Sequence, residues 1–188
     1  MSKRKFSTHT LIDWDAVLKQ IVPKTGDFNT PVTVMDRVTD NPDLKTTYYN
    51  GIMDTWKKAN YDFANIQWYD YYPGEHFDIS VQEKFAELVN AEPRRVFVSE
   101  VWPGHCVPYH WDVEDKEEEW LANGDKLVRW VCFMDKAKFG HVFILEDECF
   151  YNIEQHMTYE WNSYRDYHAG TNAGNEPYYL FHFLGAEK

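Results

Sequence analysis

Apolar positions recur at different periods in the two halves of the chain, and the elements they predict divide accordingly. Between Thr10 and Leu18 the apolar residues fall at helical spacing behind Asp13, a plausible cap, which predicts a short helix ending before Pro23. Residues 24–50 mix Pro, Gly, Asn and Asp with short β-branched runs such as Val32-Thr33-Val34, a pattern of loops and an edge strand. Tyr48 to Tyr61 suits a second helix around Met53, Trp56 and Lys57. Ile79, Val81, Phe85, Leu88 and Val89 form a third helical stripe, which Pro93 is expected to terminate after Asn90-Ala91-Glu92.

From Arg95 onward the period becomes two. Val96, Val98, Glu100 and Trp102 alternate as on a strand, and Pro103-Gly104 turns the chain. Strand-like runs follow at Lys126–Met134, Gly140–Leu145 and Pro177–Leu184, separated by turn signals at Asn123-Gly124, Gly170 and Ala173-Gly174-Asn175. The expected fold is mainly β with flanking helices (α+β), a jelly roll braced by helices. At 188 residues it is read as one domain, with 1–93 largely helical and loop support and 94–188 the β core.

Composition narrows the function classes. Aromatic residues are 18% of the chain, too many for a disordered segment and suited to a sheet-rich core or aromatic-lined cleft. The formal net charge of −12 argues against a nucleic-acid partner, and the only basic cluster is the short Lys3-Arg4-Lys5 tail. No run of apolar residues is long enough to cross a bilayer, and no secretory signal pattern opens the chain, so a cytoplasmic protein without a membrane partner is expected. Cys106, Cys132 and Cys149 are odd in number and widely spaced, which indicates neither a disulfide framework nor a zinc knuckle. The oligomeric state is not legible.

The candidate chemistry begins at Pro103-Gly104-His105-Cys106-Val107-Pro108-Tyr109-His110-Trp111-Asp112. Residues two apart on a strand project to one face, so His110 and Asp112 can present an imidazole and a carboxylate to one cation. His168, just before the final strand, can supply a third ligand. Two histidines and one carboxylate leave coordination positions open, as in non-haem iron(II) oxygenases, although a catalytic zinc also works with three protein ligands and a water. A rival pair exists at His76 and Asp78, with His141 as its distal partner, but Asp78 is better placed to cap the following helix. Glu114 or Asp115 could replace Asp112. His105, His141, His156 and His182 are read as structural, and Trp102, Tyr109 and Trp111 as packing. Arg129, inside an apolar run, is read either as an anion anchor or as half of an internal ion pair.

Gly104, His110, Asp112, Glu117 and Gly124 stand at the spacing of the first cupin motif, with Asp112 in place of a second histidine, and His168 with Asn172 matches the end of the second motif. The resemblance is to the double-stranded β-helix superfamily. The stretch from Trp102 to Gly185, a little under half the chain, resembles the aspartyl/asparaginyl β-hydroxylase group of 2-oxoglutarate oxygenases. That resemblance implies an Fe(II) site at His110, Asp112 and His168, with 2-oxoglutarate and O2 as co-substrates. It implies hydroxylation of a C–H bond in a small-molecule or protein substrate, with a peptidyl or free amino-acid side chain favoured. Arg129 matches the family's arginine on the strand after the metal-binding loop. Many relatives carry a further arginine about ten residues beyond the distal histidine; here that region reads Pro177-Tyr178-Tyr179, so Tyr179, with Tyr178 and His182, becomes a candidate for binding the co-substrate. A cupin-type isomerase or hydrolase without 2-oxoglutarate, and a non-catalytic binding domain on the same scaffold, are the competing readings.

Overall fold

The computed structural model describes residues 4–8, 11–21, 54–60, 68–112, 114, 116–161 and 165–188. The run Val32-Thr33-Val34 and Met53 lie outside them, as does Asp115. After strand β1 (Arg4–Ser7), the first predicted helix forms as α1 (Trp14–Gln20), and the Asp13 carboxylate accepts a hydrogen bond from the Ala16 N–H as its N-cap. Residues 54–58 are helical around a buried Trp56. Strand β2 (Tyr69–Tyr71) precedes α2 (Ser80–Val89), whose stripe of Val81, Phe85 and Ala86 is buried.

Pro93 does not end that helix. The stop is Asn90, in the left-handed conformation at φ 52°, whose N–H returns to the carbonyls of Ala86 and Glu87. Strand β3 (Ala91–Val101) starts at once, four residues before the expected position, and carries Pro93 within it. There β2 does not reach, since it pairs only along Val98–Glu100, and on the other side the β3–β10 register shifts at Leu184/Gly185. A residue without an N–H is tolerated at such an irregular stretch.

The chain continues through β4 (Cys106–His110), α3 (Glu117–Ala122), β5 (Leu127–Phe133), β6 (His141–Leu145), β7 (Glu148–Phe150), β8 (Met157–Trp161), β9 (His168–Asn172) and β10 (Tyr178–Glu187). These make two antiparallel sheets, a major one ordered β1-β8-β5-β10-β3-β2 and a minor one ordered β4-β9-β6-β7. From β3 onward the chain passes back and forth between them, the winding of a double-stranded β-helix. Strands β1 and β2, from the first 93 residues, add the two edges of the major sheet.

Alternation then gives the major sheet two different faces. Its outer face, with Val96, Val98, Trp130, Cys132, Phe181 and Phe183, packs against α1 and α2 through Trp14, Val17, Val81 and Phe85. Its inner face, with Val101, Val131, Phe133, Tyr159, Trp161, Tyr178 and Leu180, meets Phe143 and Leu145 of the minor sheet. Asn172 closes one end of the barrel: its side-chain N–H groups donate to the carbonyls of Val101 and Glu176, and its Oδ1 accepts from the Gly174 N–H. Gly140 passes so close to Gly174 that a Cβ there would stand 2.2 Å from the Gly174 nitrogen. Among the described residues no helix is long and apolar enough to cross a membrane.

Candidate metal centre

At the other end of the barrel, β4 and β9 pair with His110 directly opposite His168. That alignment depends on an irregularity. Val107 faces Gly170, and the register shifts before His110 meets His168, so β4 holds one residue more than β9 over the same stretch. Val107 packs into the inter-sheet core, so strict alternation would send Tyr109 inward and His110 out. The extra residue, at Pro108-Tyr109, restores the inward direction to His110. Tyr109 stacks instead on Tyr167, with ring centroids 5.1 Å apart. The indole N–H of Trp56 donates to the Tyr109 carbonyl on the free edge of β4, and its ring meets His110 edge-on.

His110, Asp112 and His168 each turn one ligand atom toward a common point, all within 4.8 Å of one another. His110 Nε2 lies 3.5 Å from Asp112 Oδ1, and His168 Nε2 lies 3.4 Å from Asp112 Oδ2. Each imidazole is held from behind: His110 Nδ1 is 2.6 Å from the Pro108 carbonyl and His168 Nδ1 is 3.1 Å from the Asp166 carbonyl. A carbonyl can only accept, so both Nδ1 atoms carry the proton and both Nε2 atoms offer a lone pair. The donor set therefore fits a divalent metal bound by two neutral imidazoles and one carboxylate, with further coordination positions open.

Electrostatics keeps Asp112 and His168 in their ligating forms. Burial alone would raise the Asp112 carboxyl, but Arg129, His168 and His110 overcome it and hold it well below the usual carboxylate range. Burial pushes His168 down to about 4, against the opposing pull of Asp112, so it is neutral at neutral pH.

Arg129 is the largest charged group in the interior, 1% exposed on the inward face of β5 with Leu127, Val131 and Phe133. Its Nη2 lies 2.7 Å from Asp112 Oδ2 and 3.3 Å from Glu114 Oε1. Glu114 is shared with Arg95, whose Nη1 lies 2.8 Å from its other oxygen. Glu114 is thus clamped between two arginines behind the triad, while Asp112 occupies the ligand position. Arg95 went unread in the sequence, although it stands on the strand parity opposite to Val96 and Val98, where inward polar residues are found.

The rival site does not assemble. Asp78 Oδ1 accepts from the Ser80 N–H at the start of α2, and His76 Nδ1 accepts from the Tyr72 N–H. His141 is buried elsewhere, with Nδ1 accepting from the Lys138 N–H and Nε2 donating to the Glu176 carbonyl. Tyr179 is not brought to the centre either. It lies on the outer face of β10, packed against the helix-side core, and its hydroxyl donates to Glu100 at 2.5 Å. Tyr178 and His182 have the opposite parity and are buried on the inward side with Leu180.

No protein-family model matches the chain, and no curated protein matches it significantly. Among solved structures, the viral collagen prolyl hydroxylase of Paramecium Bursaria Chlorella virus-1, in its 2OG complex, is similar over 74% of this chain and 89% of its own, at 15% identity and a TM-score of 0.45. A prolyl-4-hydroxylase of Pseudomonas putida covers 79% and 89% at 13% identity and a TM-score of 0.42. An oxidoreductase of the 2OG-Fe(II) oxygenase family from Burkholderia pseudomallei covers 55% and 50% at 18% identity and a TM-score of 0.38. These likenesses are distant, and what the chain does must be read from its own site.

Proposed function

We propose that this chain is a non-haem iron(II) and 2-oxoglutarate-dependent dioxygenase that hydroxylates an unactivated C–H bond. The observation that carries the reading is the triad itself: His110, Asp112 and His168 converge with both imidazole lone pairs free, at the mouth of a barrel whose interior holds a buried arginine. Bound there, iron(II) with an oxo acid and O2 supplies the oxidising power for hydroxylation, with succinate and CO2 as the other products. The protein's own residues do the positioning. The Pro108 and Asp166 carbonyls fix both imidazole tautomers and ring directions. Arg129 orients the Asp112 carboxylate from the side away from His110 and keeps it ionised.

Charge supports an anionic co-substrate. Arg95 and Arg129 are balanced by Asp112, Glu114 and the buried Asp70, so an entering dication exceeds the negative charge present and calls for an entering anion. Open space supports it as well. Gly170 is buried on β9, and among the described residues a Cβ on it would meet nothing within 4 Å. The resemblance of the Trp102–Gly185 stretch to the aspartyl/asparaginyl β-hydroxylases supports a peptidyl or free amino-acid side chain as substrate.

One observation favours a metalloenzyme that does without an oxo acid: Arg129 is already engaged by two carboxylates. An anaerobic titration separates the readings. Iron(II) followed by 2-oxoglutarate should give a visible metal-to-ligand charge-transfer band in wild type. Iron binding with no band at saturating 2-oxoglutarate would leave the metalloenzyme reading in its place.

A further inference from the structure

The barrel interior is built in rows, and the second row holds a polar atom that no described residue meets. Cross-strand pairing sets Arg95, Leu184, Arg129 and Trp161 side by side across the major sheet, level with the metal centre. Two residues deeper, the next row is Phe97, His182, Val131 and Tyr159. On the minor sheet the row behind His110, His168 and Leu145 is Val107, Gly170 and Phe143. Val107, Val131, Phe143 and Tyr159 belong to one packed cluster, so these second rows face each other. This is the row in which Gly170 leaves space.

His182 stands in it, 8% exposed, stacked on Phe97 with centroids 4.5 Å apart and planes 6° apart. Its Nε2 lies 2.8 Å from the Ser99 hydroxyl, while its Nδ1 is buried with no hydrogen-bond partner among the described residues. An orphaned imidazole nitrogen in a core is costly unless a ligand meets it. Burial, reinforced by the charge of Arg129, keeps the ring neutral in the ligand-free protein. When Ser99 donates to Nε2, the ring proton sits on Nδ1.

We infer that His182, positioned by Ser99, donates from Nδ1 to the carboxylate of the co-substrate farthest from the metal, so that a neutral imidazole does the work of a second cation. The inference rests on the proposed function and sharpens it. Two residues along a strand span about 6.8 Å, a reach that a five-carbon dicarboxylate covers and a three-carbon oxo acid does not. A chelating head at the triad therefore brings the far carboxylate, and only that group, to the second row.

The test compares 2-oxoglutarate with pyruvate, which has the same oxo-acid head and no far carboxylate. Both are titrated anaerobically into the iron(II) protein and followed by the charge-transfer band. Wild type should prefer 2-oxoglutarate. His182→Phe, which retains a stacked ring, should lower 2-oxoglutarate affinity roughly tenfold to a hundredfold and leave pyruvate affinity and iron stoichiometry unchanged, the loss expected for one hydrogen bond to an ionised group. His182→Asn, whose amide nitrogen can occupy the Nδ1 position, should restore part of the affinity, and His182→Gln, which places its amide at the Nε2 position, should restore less. Ser99→Ala should weaken 2-oxoglutarate alone, by a few fold, and serves as the test if the His182 variants do not fold. An unchanged 2-oxoglutarate to pyruvate ratio in folded His182→Phe, or in Ser99→Ala if that is the variant that folds, overturns the inference while leaving the oxygenase reading standing. Absence of a band with either oxo acid in wild type defeats the proposed function first.

Discussion

The two faces of the major sheet treat buried polar groups in opposite ways. On the outer face most are satisfied within the protein, although the Thr158 hydroxyl, paired across from Cys132, has no hydrogen-bond partner among the described residues. Glu100, fully buried, accepts from the hydroxyls of Tyr71 and Tyr179, each at 2.5 Å. The Trp14 indole donates to Thr8, which lies 3.3 Å from the Cys132 sulfur. On the inner face Arg129 Nε, Trp161 Nε1, Tyr178 Oη and His182 Nδ1 have no hydrogen-bond partner among the described residues. A sheet that leaves most of its open hydrogen-bonding atoms on the face between the sheets offers them to something that enters. The contrast is sharpest at adjacent residues, since Tyr178 and Tyr179 differ by one position and by the whole chemistry of the face they join.

The largest expected effect falls at the inner rim. His110→Ala, Asp112→Ala and His168→Ala should each abolish stoichiometric iron(II) binding, read by metal analysis of the folded protein, whereas His76→Ala should retain it. Full iron occupancy in all three would dissolve the distinction between the faces.

Stability should respond next, and on the outer face. Glu100→Ala removes the carboxylate that accepts from the Tyr71 and Tyr179 hydroxyls and should destabilise by about 2–5 kcal/mol in chemical denaturation. Tyr179→Phe should cost about 1.5–3 kcal/mol, because the carboxylate loses a donor, while Tyr178→Phe removes a hydroxyl with no hydrogen-bond partner among the described residues and should be neutral or stabilising. Equal costs at the two tyrosines would mean that the Tyr178 hydroxyl is satisfied in solution.

Arg129→Ala should retain iron but weaken 2-oxoglutarate by roughly tenfold to a few hundredfold, with partial recovery in Arg129→Lys, since an ammonium cannot reproduce a bidentate fork. Because Asp112 and Glu114 also lose their partner, its melting temperature should fall. A lowered melting temperature with wild-type 2-oxoglutarate affinity would make Arg129 a purely structural ion pair.

The smallest effect is a pH dependence of the iron-free protein. Burial is the main cause holding His141, His168 and His182 below the ordinary value of 6.5 in the fold. The unfolded chain then binds more protons below that pH, so their contribution is complete above about 6.5 and is lost as the pH falls toward their folded values, about 4 for His168. Each group contributes up to about 1.4 kcal/mol per pH unit in that window. Denaturation midpoints from pH 7 to pH 5 should fall less steeply in His182→Asn, and a slope equal to wild type would place no titration at His182.

Local pattern along the chain is enough to recognise part of the fold and of the site. Period and capping were enough for α1 and α2, alternation for β3, β5 and β10, and the His110–Asp112 spacing with His168 for the triad. These depend on residues within a turn or a pleat of one another, where chemistry and geometry are set by the chain itself. The misreading at Pro93 has a physical cause: proline is a strong local breaker, yet Asn90 could adopt the left-handed conformation and stop the helix first. Tyr179 is near the site along the chain, but strand parity sends it to Glu100 instead.

What the sequence determined by itself was the donor chemistry: which imidazoles and carboxylates exist, and that a mainly β chain would set some of them two apart on a strand. Only the tertiary structure decided which of them meet. The extra residue at Pro108-Tyr109 turns His110 inward, the Arg95–Glu114–Arg129 clamp leaves Asp112 to the metal position, and the pairing of β10 with β3 sets His182 against Ser99. None of these is a local preference; each is settled by the register between strands distant in sequence, where a shift of one residue exchanges a core face for a solvent face or a ligand for a packing residue.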